Sequence, residues 1–353
     1  MRNGSSLVLG ILLCITSLIG FIPFAEAQIE PEVSVAVSVA PLGGIVDVIG
    51  REFVDVSILL PEGVEPHAAQ LPQSSVDAAS SADLLVLTGH YPWEESLAEQ
   101  VDTPYISLED FEAFGAELLL MPGVHDDGAL LSQDHNHGDE NIHSYWLLPK
   151  NAIAIANATL DRLKSLAPSR SDYWNSAFLT FIENVEEFQN LVGELNQEYG
   201  FSNLRAVVVF PAEAYVAETF GIEVVTSLSQ GENVFISGAD LLVVQTGLAN
   251  GSLDIILGSD IARLQPSGEF AVQLAEDTAS EIIWWRVIFF SGLSDYLSIM
   301  TYNLGILTSS MEDSGPSASN LSINFLAIGI AGFLAIVVMV ETALLFQHAK
   351  KEE

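Results

Sequence analysis

Hydrophobic and polar positions along this chain fall into two alternating series with one long helical stripe between them. Residues 33–39 (VSVAVSV) alternate and are β-branched, which predicts a buried strand feeding Ala40-Pro41-Leu42-Gly43-Gly44 and a helical run to Ile49. Residues 54–60 (VDVSILL) predict a second strand that runs straight into the turn-rich Pro61-Glu62-Gly63-Val64-Glu65-Pro66-His67. A short helix over 73–81, a third strand over 84–88 and a fourth over 105–108 complete this series, with Gly89-His90-Tyr91-Pro92-Trp93 read as a loop. The second series predicts strands over 206–210, 223–226, 255–257 and 281–287 and helices over 213–220, 239–249, 270–278 and 294–307. Strands alternating with helices at this spacing predict βαβ units and parallel sheets.

Between the series, residues 149–166 read as a helix and Pro168 interrupts it. Residues 171–199 then carry Trp174, Phe178, Phe181, Ile182, Val185, Phe188, Leu191, Val192 and Leu195 on one side. At the helical rise this is one element of about 43 Å, ending at Gly200. The expected fold is α/β: a lobe over 33–168 and a lobe over 204–308, each with a parallel-sheet core, joined by the helix 171–200.

Two apolar blocks lie outside this pattern. Residues 1–27 read as a secretory signal, with Arg2, an apolar run over 7–24 and the small-x-small site Ala25-Glu26-Ala27. Residues 321–346 are long and apolar enough for a membrane-spanning helix, and Lys350 and Lys351 in the tail 347–353 favour the cytoplasmic side. Residues 309–320 (SSMEDSGPSASN) read as a flexible spacer. The expected arrangement is an ectodomain outside the cytoplasm, tethered to the cell membrane by a single C-terminal pass. Cys14, the one cysteine, lies in the signal, so mature protein would hold no disulfide and no cysteine metal site.

Charge narrows the function further. The 47 Asp and Glu against 11 Lys and Arg argue against a nucleic-acid partner, which needs basic patches, and favour cations at the surface, though adaptation to a salty environment gives the same balance. Four of the seven histidines fall within 125–146 (HDDGALLSQDHNHGDENIHSYW), together with five acidic residues and no basic one. Imidazole and carboxylate are ligands of zinc and similar divalent ions. His125, His135, His137 and Asp139 sit in a glycine-containing polar tract, an accessory metal-gathering loop. His143 stands instead at the edge of ordered structure. His67 and His90 each follow directly after a strand, where parallel sheets bind ligands. No HExxH, CxxC, GxSxG or lysine-bearing phosphate loop occurs, so the chain is not expected to be an enzyme.

Several segments together resemble the zinc/manganese solute-binding proteins of ABC importers. They are Ala40-Pro41-Leu42, Leu60 to His67 (LPEGVEPH), Ala82-Asp83-Leu84-Leu85-Val86, Ile142-His143-Ser144-Tyr145-Trp146-Leu147, Ala212-Glu213-Ala214-Tyr215, Phe220-Gly221-Ile222, Ser294-Asp295-Tyr296 and Tyr302-Asn303-Leu304. The resemblance implies two α/β lobes joined by a rigid helix, a permease partner, and a divalent ion (zinc, manganese or iron) as cargo with no organic cofactor. It assigns His67 and His143 to the first two ligand positions. At the third, where the family carries histidine, this chain has Phe210, and near the fourth, usually aspartate, it has Arg286. Three readings follow: a site rebuilt from His67, His143, His90 and Glu213; a cleft for an anionic or chelated solute with Arg286 as counter-charge; or a surface interaction protein without solute.

Overall fold

The computed structural model describes residues 30–123, 140–231, 234–289, 293 and 295–314. The signal segment 1–27, the loop residues His125, His135, His137 and Asp139, and the apolar segment 321–346 lie outside them. Among the described residues no helix is long and apolar enough to cross a membrane.

Contacts divide the chain into two compact units. The first is built on β1 (Val33–Val37), α1 (Ala40–Gly50), β2 (Val54–Ile58), α2 (Gln73–Ser81), β3 (Leu84–Val86), α3 (Pro92–Gln100), β4 (Tyr105–Ile106), α4 (Leu108–Ala113) and α5 (Pro149–Leu166). Its sheet has the order β2-β1-β3-β4 with every pairing parallel. Val35, Ala36 and Val37 on β1 and Leu84, Leu85 and Val86 on β3 are all almost wholly buried. That is why these strands read as unbroken apolar runs: helices cover both faces, so neither side chain direction meets water.

α6 (Ser171–Tyr199) is one unbroken helix of 29 residues whose residues are divided between the two units. Trp174, Phe181, Val185, Phe188 and Val192 are buried along it, a spacing of three to seven residues that keeps one face apolar.

The second unit carries β5 (Arg205–Val208), α7 (Glu213–Phe220), β6 (Glu223–Ser227), α8 (Gly238–Asn250), β7 (Ile255–Ser259), α9 (Pro266–Thr278), β8 (Glu281–Trp285) and most of α10 (Tyr296–Ser314). Its sheet, β8-β7-β5-β6, is again wholly parallel, and in chain order it repeats the strand order of the first. The segment 288–297 packs with the first unit: the Tyr296 hydroxyl donates to the Leu147 carbonyl at 3.0 Å, and Tyr296 is fully buried.

Three sequence expectations change. Residues 92–100 form α3 rather than loop, because Pro92 enters at the first helical position and Glu94 caps the turn. Residues 108–113 form α4, with Ser107 and Asp110 as a capping box. The spacer begins later than residue 309, since α10 continues to Ser314.

Candidate metal centre

Each histidine of the site is delivered by a loop of the first unit. His67 ends the proline-rich turn after β2, and the Trp93 indole N–H donates to the Pro66 carbonyl at 2.9 Å, tying that turn to α3. The carboxylate of Glu65 holds the ring in place, its Oε1 lying 3.0 Å from His67 Nδ1 while its Oε2 accepts the Ala68 N–H at 2.7 Å. Burial would raise the Glu65 carboxyl, but hydrogen bonds from His67 and Ala68 outweigh it and bring the pKa down to about 2. An ionised carboxylate on Nδ1 leaves Nε2 as the outward donor of His67.

His90 follows β3 and owes its position to a residue not singled out from the sequence. Glu94, 2% exposed, accepts the backbone N–H groups of Thr88 (2.8 Å), His90 (2.9 Å) and Tyr91 (3.1 Å) as well as the Thr88 hydroxyl. One buried carboxylate thus satisfies three backbone donors and a hydroxyl beside a helix start, where negative charge is favoured. The signal was present as a carboxylate four residues after His90 behind Pro92, but it was hidden once 89–93 was read as a loop.

His143 is fixed by Asn141, whose Oδ1 accepts the His143 N–H at 3.1 Å and lies 3.2 Å from His143 Nδ1. Ser144 then adopts a left-handed φ of 58°, a conformation costly for a residue with a Cβ, which turns the chain into the buried Tyr145-Trp146-Leu147. The Tyr145 hydroxyl donates to the Thr88 carbonyl at 2.9 Å, linking the His143 segment to the His90 loop.

The three rings converge. His67 Nε2 and His90 Nε2 are 2.9 Å apart, and ring centroids are separated by 4.8 Å (His67–His90), 5.7 Å (His67–His143) and 4.5 Å (His90–His143). One donor atom from each lies within 4.8 Å of the others, the spacing of a group able to hold a metal ion. Tetrahedral ligands at about 2.0–2.1 Å from zinc stand roughly 3.3 Å from one another, so an ion fits with shifts of a few tenths of an ångström to an ångström or so. Burial first, then the neighbouring His143 and His67, hold the His90 pKa down to about 2. Burial and His67 hold His143 near 3. Both rings are therefore neutral at physiological pH, the form that ligates.

The residues of the second unit are placed otherwise. Phe210 is 2% exposed in its core. Glu213 is fully buried, and its Oε2 accepts the Phe210 N–H at 2.6 Å. The group formed by the three histidines does not include it. Burial outweighs the Ser259 and Phe210 hydrogen bonds and pushes the Glu213 pKa up to about 8. A raised carboxyl pKa means stability present below the unfolded value of 4.5 and lost as pH rises towards 8. Glu213→Gln should therefore raise the unfolding free energy read from urea denaturation at pH 8, by on the order of 2 kcal/mol, with a matching rise in midpoint, and change little at pH 4.5. Equal midpoints for the two proteins at pH 8 would refute the buried neutral acid. Arg286 has its guanidinium 5.8 Å from the Tyr302 ring centroid.

A two-unit α/β chain of this kind is the fold of solved periplasmic metal-binding proteins. Residues 35–310 match the family described as ZnuA, zinc-uptake complex component A, periplasmic, and the chain belongs to that family. It is 30% identical over 209 residues to the high-affinity zinc uptake system protein ZnuA of Yersinia pestis, covering 54% of this chain and 63% of that relative. It is 22% identical over 176 residues to the zinc-binding lipoprotein AdcA of Streptococcus pneumoniae, covering 48% of this chain and 34% of that one. The chain thus spans less than two thirds of the length of these relatives. Among solved structures, a zinc-bound ZnuA deletion mutant superposes with a TM-score of 0.63 at 18% identity over 81% of this chain and 99% of that one. The manganese-bound periplasmic metal-binding protein of Candidatus Liberibacter asiaticus gives 0.61 at 17% identity over 79% and 99%. These likenesses fix the fold.

Proposed function

We propose that this chain is the extracytoplasmic solute-binding protein of an ABC importer and captures a divalent metal ion on His67, His90 and His143 for delivery to a permease. The observation that carries the reading is the convergence of three imidazole donors, two of them kept neutral, on one point of the first unit. Family membership and the relatives' zinc binding support zinc as cargo, and three nitrogen donors suit it. His90 takes the place of the missing third ligand, which makes Phe210 compatible with metal capture. The reading is of a binder rather than an enzyme, in keeping with relatives described as a zinc uptake protein and a zinc-binding lipoprotein. The tract with His125, His135, His137 and Asp139 serves as an accessory gathering loop, and residues 321–346 anchor the protein in the membrane.

Zinc titration by calorimetry, with elemental analysis, should give one tight ion per purified chain. The double variant His67→Ala/His143→Ala should lose it, and deletion of residues 134–140 should remove only weakly held metal. Retention of the tight ion by the double variant would sink the proposal.

A further inference from the structure

A pocket of about 680 Å³ opens on the first unit beside the histidine trio. Gly89, His90 and Tyr91 of the loop after β3 form part of its lining, together with Tyr105 of the edge strand β4 and residues of α3 and α4. His90 therefore belongs to two surroundings. Its Nε2 stands 2.9 Å from His67 Nε2, and the residue also lines the pocket.

The charged side chains of this lining have one sign. Glu94, Glu95 and Glu99 come from α3, Glu109 comes from the first turn of α4, and none of the described residues lining the pocket is a lysine or arginine. Two other grooves differ in this respect. The groove along β8 sets Arg263 and Arg286 beside Asp260 and Glu281, and the one beside α8 sets Arg205 beside Asp240.

Other carboxylates of α3 and α4 have partners within the fold. Glu94 accepts three backbone N–H groups, while Asp110 accepts the Ser107 N–H at 3.0 Å and lies 3.4 Å from Arg162. The carboxylates of Glu95, Glu99 and Glu109 are exposed and make no hydrogen bond or ion pair among the described residues. Residues 95 and 99 are one helical turn apart, so their carboxylates share a face of α3, where like charges repel. Stability alone would favour a lysine or arginine at one of them, and α3 has neither. A concave surface lined by one sign, backed by protein rather than water, focuses its field through the mouth and draws counter-ions there. A divalent cation feels twice the pull of a monovalent one.

We propose that Glu95, Glu99 and Glu109 steer divalent cations to the histidine trio, setting the rate of capture without ligating the captured ion. The inference rests on the trio being the metal site. His67, His90 and His143 hold the ion, while the three carboxylates raise its local concentration at the wall that His90 shares with the pocket. Their effect falls on association, and it fades as salt shortens the reach of the field from about 30 Å at 0.01 M to about 3 Å at 1 M.

The test is stopped-flow uptake of zinc chloride by the metal-free full chain, read against a fluorescent chelator. Glu95→Gln/Glu99→Gln/Glu109→Gln should lower the association rate by at least about fivefold in about 0.01 M salt, and by less than about twofold in about 1 M salt. The dissociation rate should stay within about twofold of wild type, so the calorimetric dissociation constant should rise by the factor by which association slows. Glu183→Gln/Glu186→Gln/Glu187→Gln removes the same charge from exposed positions of α6 in the same unit and should leave both rates unchanged. An unchanged association rate in the first variant overturns the proposal. So does equal slowing in the second, which would make net charge the cause. Faster dissociation that accounts for the weaker binding also overturns it, because the carboxylates would then be ligands. Tight zinc retained by His67→Ala/His143→Ala fails differently: it removes the metal site on which the proposal rests, whatever the rates of the glutamine variants.

Discussion

Replacing His90 with alanine is expected to raise the zinc dissociation constant by on the order of 10²–10³. Structural zinc sites of four ligands are worth about 10–16 kcal/mol, so each ligand carries roughly 2.5–4 kcal/mol, or two to three decades. His90 is as central as its partners, with its Nε2 2.9 Å from that of His67 and its ring 4.5 Å from that of His143. The loss should exceed that from deleting residues 134–140, which lie outside the trio. Competition against a chelator of known affinity, wild type beside variant, measures it. An unchanged constant would return the site to the two histidines assigned by family resemblance and leave the third ligand unassigned.

Metal-free protein should lose stability as pH falls below the ordinary imidazole value. His90 and His143 stay neutral in the folded chain, near 2 and 3, while unfolding releases them to take protons below 6.5. The unfolded state binds more protons in that window, so stability is present above about 6.5 and drains away as pH falls. Each histidine contributes up to about 1.4 kcal/mol per pH unit, so the pair costs roughly 2–3 kcal/mol by pH 5.5. Glu213 has the opposite slope between 4.5 and 8 and would mask the effect. The experiment therefore compares urea midpoints at pH 7.5 and 5.5 in the Glu213→Gln background. His90→Phe in that background should remove about half of the loss. A pH-independent midpoint would show that the rings protonate in the folded state.

Much of this fold was legible because its period was clean. The helices at 73–81, 149–166, 171–199 and 213–220 have the bounds that apolar spacing predicts. Buried parallel strands announced themselves as valine and leucine runs. What stayed hidden rested on polar residues with local partners. α3 has few apolar positions and depends on Glu94 and Pro92, so no stripe betrays it. The site was half visible for a related reason. His67 and His143 lie in recognisable segments, and His90 could be placed after a strand. Glu65, Asn141 and Glu94 set the rings through hydrogen bonds across two to four residues, which no hydrophobic pattern records. A carboxylate early in a helix, such as Glu213, is ambiguous in sequence, and its burial against the Phe210 N–H is a tertiary fact.

The return of residues 288–297 to the first unit bears on the order in which the protein is made. The histidine-bearing unit is discontinuous in the chain, and its last piece, Tyr296 against the Leu147 carbonyl, emerges only after the whole second sheet has been synthesised. A nascent chain, made N-terminus first, therefore presents His67, His90 and His143 well before the core beside His143 is complete. Full packing of the proposed site therefore waits for residues 288–297.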